Sequence, residues 1–183
     1  RYNSLCNAIL YGLNFAVIHC KKEADAYQIF ESLNATGLSL TPAEQVKNLV
    51  LMKSNRRDIS LCDWEEITST VGESNLVNFL SCYLFCKTNK RVGKREAYSV
   101  FKNLLKTQPV TQLLDDLKKA SKDYQVLKSP LATSPAQASL LDFIDLGVEQ
   151  VYVPLLKAAD RYGVNKGEFA KFADALLVFV VRH

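Results

Sequence analysis

Apolar residues recur at spacings of three and four along most of the chain, which is the period of an α-helix with one buried face. The clearest runs are Ala26, Ile29, Phe30 and Leu33; Leu61, Trp64, Ile67 and Val71; Tyr98, Phe101, Leu104 and Leu105; Leu113, Leu117, Ala120, Tyr124 and Leu127; and Phe169, Phe172, Ala173, Leu176 and Val180. The pattern predicts seven to nine helices and a mainly α fold, a multi-helix bundle.

One early segment departs from this helical pattern. Phe15–Cys20 is β-branched and aromatic, which predicts a short buried strand over about residues 13–20. Its partner strands are not evident in this chain, so we expect it to be the remnant of a truncated α/β core that continues upstream. The boundary is expected at 54–60, dividing the chain into residues 1–55, the end of that core, and residues 60–183, the helical bundle.

Polar residues mark several helix starts. Thr41-Pro42-Ala43-Glu44 has the order of a capping box, in which the Thr hydroxyl accepts from the Glu44 amide and Glu44 reaches back. Asp63–Glu66 and Asn165–Glu168 repeat the pattern. The sequence therefore predicts helices that begin after Thr41, Asp63 and Asn165.

Composition narrows the class of protein. The 183 residues are 48% apolar and 23% charged with a net charge of +4, the balance of a globular protein with a mildly basic surface. The longest clean apolar run is Ala175–Val181, far short of the ~20 residues that a spanning helix needs, so no membrane association is expected. Five scattered cysteines and no signal peptide predict reduced thiols and a cytoplasmic location.

Motifs for catalysis are absent from the sequence: there is no phosphate-binding glycine loop and no zinc-type cluster. Cys82 and Cys86 are read as small core residues rather than metal ligands, and His19 as a core or edge histidine rather than a general base. The acidic pairs Glu65-Glu66 and Asp115-Asp116 are read as solvated faces, because acid–base catalysis needs carboxylates that converge in a cleft. We therefore expect no metal site and no catalytic residues.

The segment from Ala24 to Leu51 predicts a helix ending near Asn34, a turn containing Gly37 and the capped helix from Pro42. This is either a helix–turn–helix connector or an anion site, since a phosphate can bind at the amino end of a helix. The candidate nucleotide-binding residues are Asn34, Thr36, Gly37, Lys47 and Asn48.

The same segment carries a family resemblance. Phe30-Glu-Ser-Leu-Asn34, Thr36-Gly37, Leu38, Leu40 and Val46-Lys-Asn48 resemble the FExLNxxGxxLxxxDLxKN signature of the GmrSD-like family. That family comprises modification-dependent restriction and phage-defence proteins, whose amino-terminal part was long known as domain of unknown function 262. Glu44-Gln45 stands here where the signature has Asp-Leu.

The resemblance implies the middle segment of such a protein. Family members carry a sulfiredoxin/ParB-like α/β core that uses a nucleoside triphosphate through a D-G-Q-Q-R motif, and a His-Asn-His domain that cuts DNA; both motifs are missing here. Residues 1–55 would then complete a nucleotide-binding core. We expect a regulatory, nucleotide-sensing and DNA-engaging segment without catalysis of its own. The full-length parent would be an endonuclease dependent on a nucleoside triphosphate with Mg, and the remainder of that polypeptide would be a partner.

A basic stretch supplies the candidate DNA-binding residues. Between residues 87 and 95 five cations occur with no acid, namely Lys87, Lys90, Arg91, Lys94 and Arg95. The stretch is either a solvated loop or a surface that contacts phosphates without reading sequence. The alternative function is a helical protein–protein interaction scaffold, and a homo-oligomer is compatible with either.

Overall fold

The computed structural model describes residues 40–93 and 96–182, together with the single residues 6, 11, 12, 19 and 29. The chain divides into two compact units, Arg1–Leu40 and Thr41–His183. All complete helices of the described residues belong to the second unit. They are α1 (Pro42–Lys53), α2 (Arg57–Val71), α3 (Glu73–Thr88), α4 (Ala97–Thr107), α5 (Val110–Lys128), α6 (Gln137–Asp145), a 3₁₀ turn (Glu149–Val151), α7 (Tyr152–Tyr162) and α8 (Gly167–Arg182).

Local sequence explains where α1, α2 and α3 begin and end. The capping box at Thr41 starts α1, with Pro42 at the first helical position. A single residue, Gly72, separates α2 from α3; its φ of +82° lies in a region that side chains disfavour. Asn89, in the left-handed conformation, stops α3, and its amide donates to the Phe85 carbonyl at 2.8 Å.

Within the second unit, the most extensive packing of two helices is between α2 and α5. α2 lies along α5, and α3 and α5 both pack against α7; α1 contacts α2, α3 and α4, and α6 and α7 contact α8. Aromatic rings fill the centre: the Tyr124 ring lies 5.4 Å from that of Phe79 and 5.9 Å from that of Tyr152. The Tyr83 ring stacks on Phe101 at 6.1 Å.

The prediction of a mainly helical bundle is confirmed within the described residues. The capping box at Thr41 is confirmed, and buried residues in the runs that begin at Leu61, Tyr98, Leu113 and Phe169 lie on the expected faces. Cys82 is buried and Cys86 partly buried, as expected of core residues. No strand occurs within 40–93 or 96–182. The strand predicted at Phe15–Cys20 and the helix predicted around Phe30 lie outside the described residues.

Two local predictions are wrong. Asp63 is not a cap, because α2 begins six residues earlier at Arg57. The loop expected from Lys87 starts later, because α3 continues through Thr88, so Lys87 is helical. Of the two alternatives for His19, a core or an edge histidine, its exposure excludes the core position, and the edge position stays a prediction.

Among the described helices, none is long and apolar enough to cross a membrane. The structure groups α1 with the helices that follow it rather than with residues 1–40. The assignment of residues 1–55 to a nucleotide-binding core stays a prediction.

Candidate functional site

The helix α1 holds two of the five candidate nucleotide-binding residues, both in its middle and not at its amino end. Lys47 and Asn48 are both half-buried on α1, whereas Asn34, Thr36 and Gly37 lie outside the described residues. Successive helical residues point about 100° apart, and of the two only Lys47 lines the groove beside this helix. The described part of the chain therefore brings one candidate, Lys47, to a concave surface.

The cap itself occupies the position where an anion would bind. The Thr41 amide donates to Glu44 Oε2 at 2.7 Å, and the Glu44 amide donates to Thr41 Oγ1 at 3.2 Å. The Thr41 amide and, at 2.9 Å, the Thr41 hydroxyl both donate to the Glu44 carboxylate, and these two hydrogen bonds hold the pKa of the carboxyl below its usual range. Pro42 has no amide hydrogen to offer. A phosphate at this helix end would have to displace the Glu44 carboxylate.

The surface beside α1 is an open groove of about 760 Å³, formed by α1, the end of α2 and the start of α3. We call it the α1–α3 groove. Its floor is apolar and its rim carries three glutamates. The lining residues include Ala43, Glu44, Lys47, Trp64, Glu65, Glu73 and Leu76. Nothing in the sequence pattern pointed to it, because its residues come from three helices.

The basic stretch after α3 is divided by the structure. Lys87, in the last turn of α3, donates to Asp116 Oδ2 at 2.9 Å and lies 5.5 Å from the centre of the Tyr83 ring. Lys90 and Arg91 are exposed, and Lys94 and Arg95 lie outside the described residues. Lys87 is exposed, but its ammonium is paired with a carboxylate on α5.

The loop that carries Lys90 and Arg91 is fixed at both ends. At its start, Lys157 of α7 contacts the Asn89 side chain, and at its end the Gly93 amide donates to Glu96 Oε2 at 3.2 Å. The Lys157 contact also places a further cation beside the loop, which the sequence could not show because Lys157 is distant in the chain. We call residues 89–93 with Lys94 and Arg95 the basic loop.

A polar cluster lies between α3, α5 and α7, around a cavity of about 60 Å³. Besides Lys87–Asp116, it contains the ion pair Lys119–Asp160 at 2.9 Å. Burial raises the pKa of the Asp123 carboxyl and raises that of the Cys86 thiol to about 11.

The features of this cluster that bear on chemistry are the partly buried Cys86 thiol and the metal-ligating side chains. Because the Cys86 thiol is protonated near neutral pH, it is not a ready nucleophile. No group of three metal-ligating side chains occurs in the part of the chain that the structure describes.

No family model matches this chain, and no curated protein or solved structure matches it with significant similarity.

Proposed function

We propose that this chain is a DNA-engaging helical segment, the regulatory part of a GmrSD-like defence nuclease. The observation that carries the proposal is the basic loop, whose Lys90 and Arg91 are exposed on a backbone held at both ends. Long cationic side chains on a fixed loop can reach neighbouring phosphates at little cost in backbone ordering. Such contacts attract DNA without discriminating between sequences.

The salt dependence of DNA affinity tests this proposal. If three loop cations contact phosphates, the slope of log affinity against log salt should be roughly −3, from about −0.9 per contact. Changing Lys90, Arg91, Lys94 and Arg95 to Ser should flatten the slope and leave the melting temperature nearly unchanged. Two duplexes of equal length and different sequence should bind equally well.

A control variant that removes half as many charges uses cations elsewhere on the surface. Lys166 and Lys171 are also exposed, and changing both to Ser lowers the net charge without touching the loop. This variant should keep most of the wild-type slope. If the loop variant and wild type bind DNA equally between about 50 and 200 mM salt, the loop cations are solvated and do not contact DNA phosphates.

Nucleotide sensing belongs to the proposal through the family resemblance and through Lys47 on the groove wall. If the D-G-Q-Q-R core lies upstream, this chain alone should bind ATP or GTP weakly and hydrolyse neither. Calorimetry in the presence of Mg²⁺ measures both nucleotides directly. Tight one-to-one binding by the isolated chain would contradict this view.

The alternative, a protein-interaction scaffold, is favoured by apolar side chains exposed on α6 and α8. Leu141, Val178 and Val181 are 43%, 50% and 66% exposed. A scaffold would leave DNA unbound at low salt, so the same titration separates the two functions.

A further inference from the structure

The last turn of α7 extends past the end of α3, at the level where the basic loop begins. Two contacts fix this arrangement: the Cys86 thiol donates to the Val153 carbonyl at 3.8 Å, and Lys157 contacts the Asn89 side chain. Both partners advance along the chain together, so α3 and α7 run in the same direction. α3 ends one residue before Asn89, whereas α7 continues for five residues, about 7.5 Å, past Lys157.

Four exposed cations that the structure describes lie at this end of the bundle. They are Lys90 and Arg91 on the loop, and Lys157 and Arg161 on α7. Residues four apart on a helix share one face, so the two α7 cations form a line that leads away from the loop. The acid between them, Asp160, is paired with Lys119 of α5 at 2.9 Å. The four cations can therefore contact successive phosphates of one strand.

An exposed aromatic ring stands at the far end of this line. Tyr162 is 39% exposed, and the guanidinium carbon of Arg161 lies 5.4 Å from the centre of its ring. A guanidinium is planar and stacks on aromatic faces, so the pair presents two flat groups side by side. The basic stretch 87–95 contains no aromatic residue, and the packing of α7 against α3 brings one to it. Aromatic rings beside a line of cations are the combination that single-stranded nucleic acids bind.

We propose that Lys90, Arg91, Lys157, Arg161 and Tyr162 together bind single-stranded DNA, with one unpaired base stacked on Tyr162 and Arg161. We call these five residues the α7 surface. The inference rests on the proposed DNA-engaging function and adds the form of DNA that uses the whole surface. In a duplex each base is already paired and stacked, so only the phosphate contacts remain. Stacking on an aromatic side chain tolerates every base, so it brings no sequence preference.

Three ligands of equal length separate stacking from phosphate contacts. They are an oligothymidine of about 12 nucleotides, within the ~4–16 that single-strand sites cover, an abasic strand with the same number of phosphates, and a duplex of mixed sequence. At about 100 mM salt the wild-type chain should bind the oligothymidine about tenfold more tightly than the abasic strand, which corresponds to about 1.4 kcal/mol. Fluorescence anisotropy of end-labelled strands measures each affinity.

Variants at Tyr162 identify the stacking ring. Y162L should lower the affinity for oligothymidine about tenfold, to that of the abasic strand, and Y162F, which keeps the ring, should restore the discrimination. Stacking releases no counterions, so Y162L should keep the salt slope, whereas K90S/R91S should flatten it by about 1.4, from about 0.7 per contact in single strands. L131A is the control, because it removes a side chain that is 61% exposed in the loop after α5, outside the α7 surface. It should bind all three ligands as wild type does.

The outcomes separate this inference from the proposed function. If wild type binds oligothymidine and the abasic strand equally, or if Y162L still discriminates between them, the stacking site is wrong, while a salt slope that depends on the loop still supports DNA engagement. If none of the three ligands binds at about 50 mM salt, both proposals fail. The melting temperature of each variant checks its folding. If Y162L unfolds, R161K serves instead: it keeps the charge and loses the planar group, so the discrimination should fall at an unchanged slope, and an unchanged discrimination would overturn the proposal.

Discussion

Lys118 and Asp63 join α5 to α2 by an ion pair that is three-quarters shielded from solvent. The Lys118 Nζ donates to Asp63 Oδ1 at 2.8 Å, and the two side chains are 24% and 22% exposed. The pair lies between α2 and α5, the most extensively packed pair of helices in the described bundle. Partial burial strengthens the attraction without imposing the full desolvation cost of a core charge.

We predict that this pair contributes measurably to stability. A double-mutant cycle with K118M and D63N should give a coupling of about 1 kcal/mol in the free energy of unfolding. The Lys119–Asp160 pair provides the matched control, because its distance is similar but its side chains are 63% and 64% exposed. Its coupling should be near zero at about 150 mM salt, where exposed pairs are screened. Equal coupling energies for the two pairs would show that partial burial does not strengthen the Lys118–Asp63 pair.

The stabilisation that the Lys118–Asp63 pair contributes should depend on pH in the alkaline range. The hydrogen bond to Asp63 raises the pKa of Lys118 above its usual value of 10.5. A group whose folded pKa is raised contributes its full stability below the unfolded pKa and loses it as pH rises through the folded pKa. The cycle coupling should therefore be constant from pH 7 to about pH 10 and decline above it. A coupling that falls between pH 6 and 8 would contradict this assignment.

How far the sequence predicts the fold is clear from these helices. The spacing of Leu113, Leu117 and Tyr124 indicated α5 because burial of one face repeats with the helical period. Asp63 was misread as a cap because Asp-Trp-Glu-Glu matches a capping box locally. Its true partner is 55 residues away, and no local pattern contains that information.

The candidate site was less predictable for a related reason. The five cations of residues 87–95 are evident in the sequence, but Asp116, which holds Lys87, lies on α5. The α1–α3 groove is lined by Glu65 and Glu73, which come from two helices separated by the single-residue turn at Gly72. Charge composition can be read locally, whereas the partner of each charge depends on packing.

Gly72 should be difficult to replace because of its backbone conformation. Its φ and ψ are +82° and 140°, a region essentially restricted to glycine, so G72A should lower the free energy of unfolding by about 1–3 kcal/mol. Space is not the reason, since the nearest atom to an added Cβ is 3.9 Å away. Gly167, in the first turn of α8, has no positive φ and nothing within 4 Å. G167A should be neutral or stabilising in the same urea titration.

The Tyr124 hydroxyl is buried without a hydrogen-bond partner among the described residues. Burial also raises the pKa of this phenol. Because an unsatisfied buried hydroxyl destabilises the folded state, Y124F should keep or raise the free energy of unfolding, by up to about 1 kcal/mol. Y124A removes the ring that packs on Phe79 and should cost about 3–5 kcal/mol. A clear loss in Y124F would show that the hydroxyl is satisfied, for example by a buried water.

Cysteine reactivity should follow burial. The pKa of Cys82 is raised to about 12 and that of Cys86 to about 11, in both cases chiefly by burial, whereas Cys62 is exposed. The thiolate is the reactive species, so a thiol reagent at pH 8 should label Cys62 before Cys86 and Cys82. Peptide mass spectrometry at increasing times measures the order, and in C62S the early label at this position should disappear. Early labelling of Cys82 would contradict its place in the core.

Breaking the Lys87–Asp116 pair should strengthen DNA binding. In wild type the Lys87 ammonium is held by Asp116 and by the face of the Tyr83 ring, so it is not available to a phosphate beside the basic loop. D116N removes the competing carboxylate and adds one net positive charge. The salt slope of DNA affinity should steepen by about 0.9, which corresponds to one additional phosphate contact. D160N makes the same change in net charge by releasing Lys119, whose side chain belongs to α5 and not to the turn that leads into the loop. It should leave the slope nearly as in wild type, and equal slopes for D116N and D160N would show that Lys87 does not extend the DNA-binding surface.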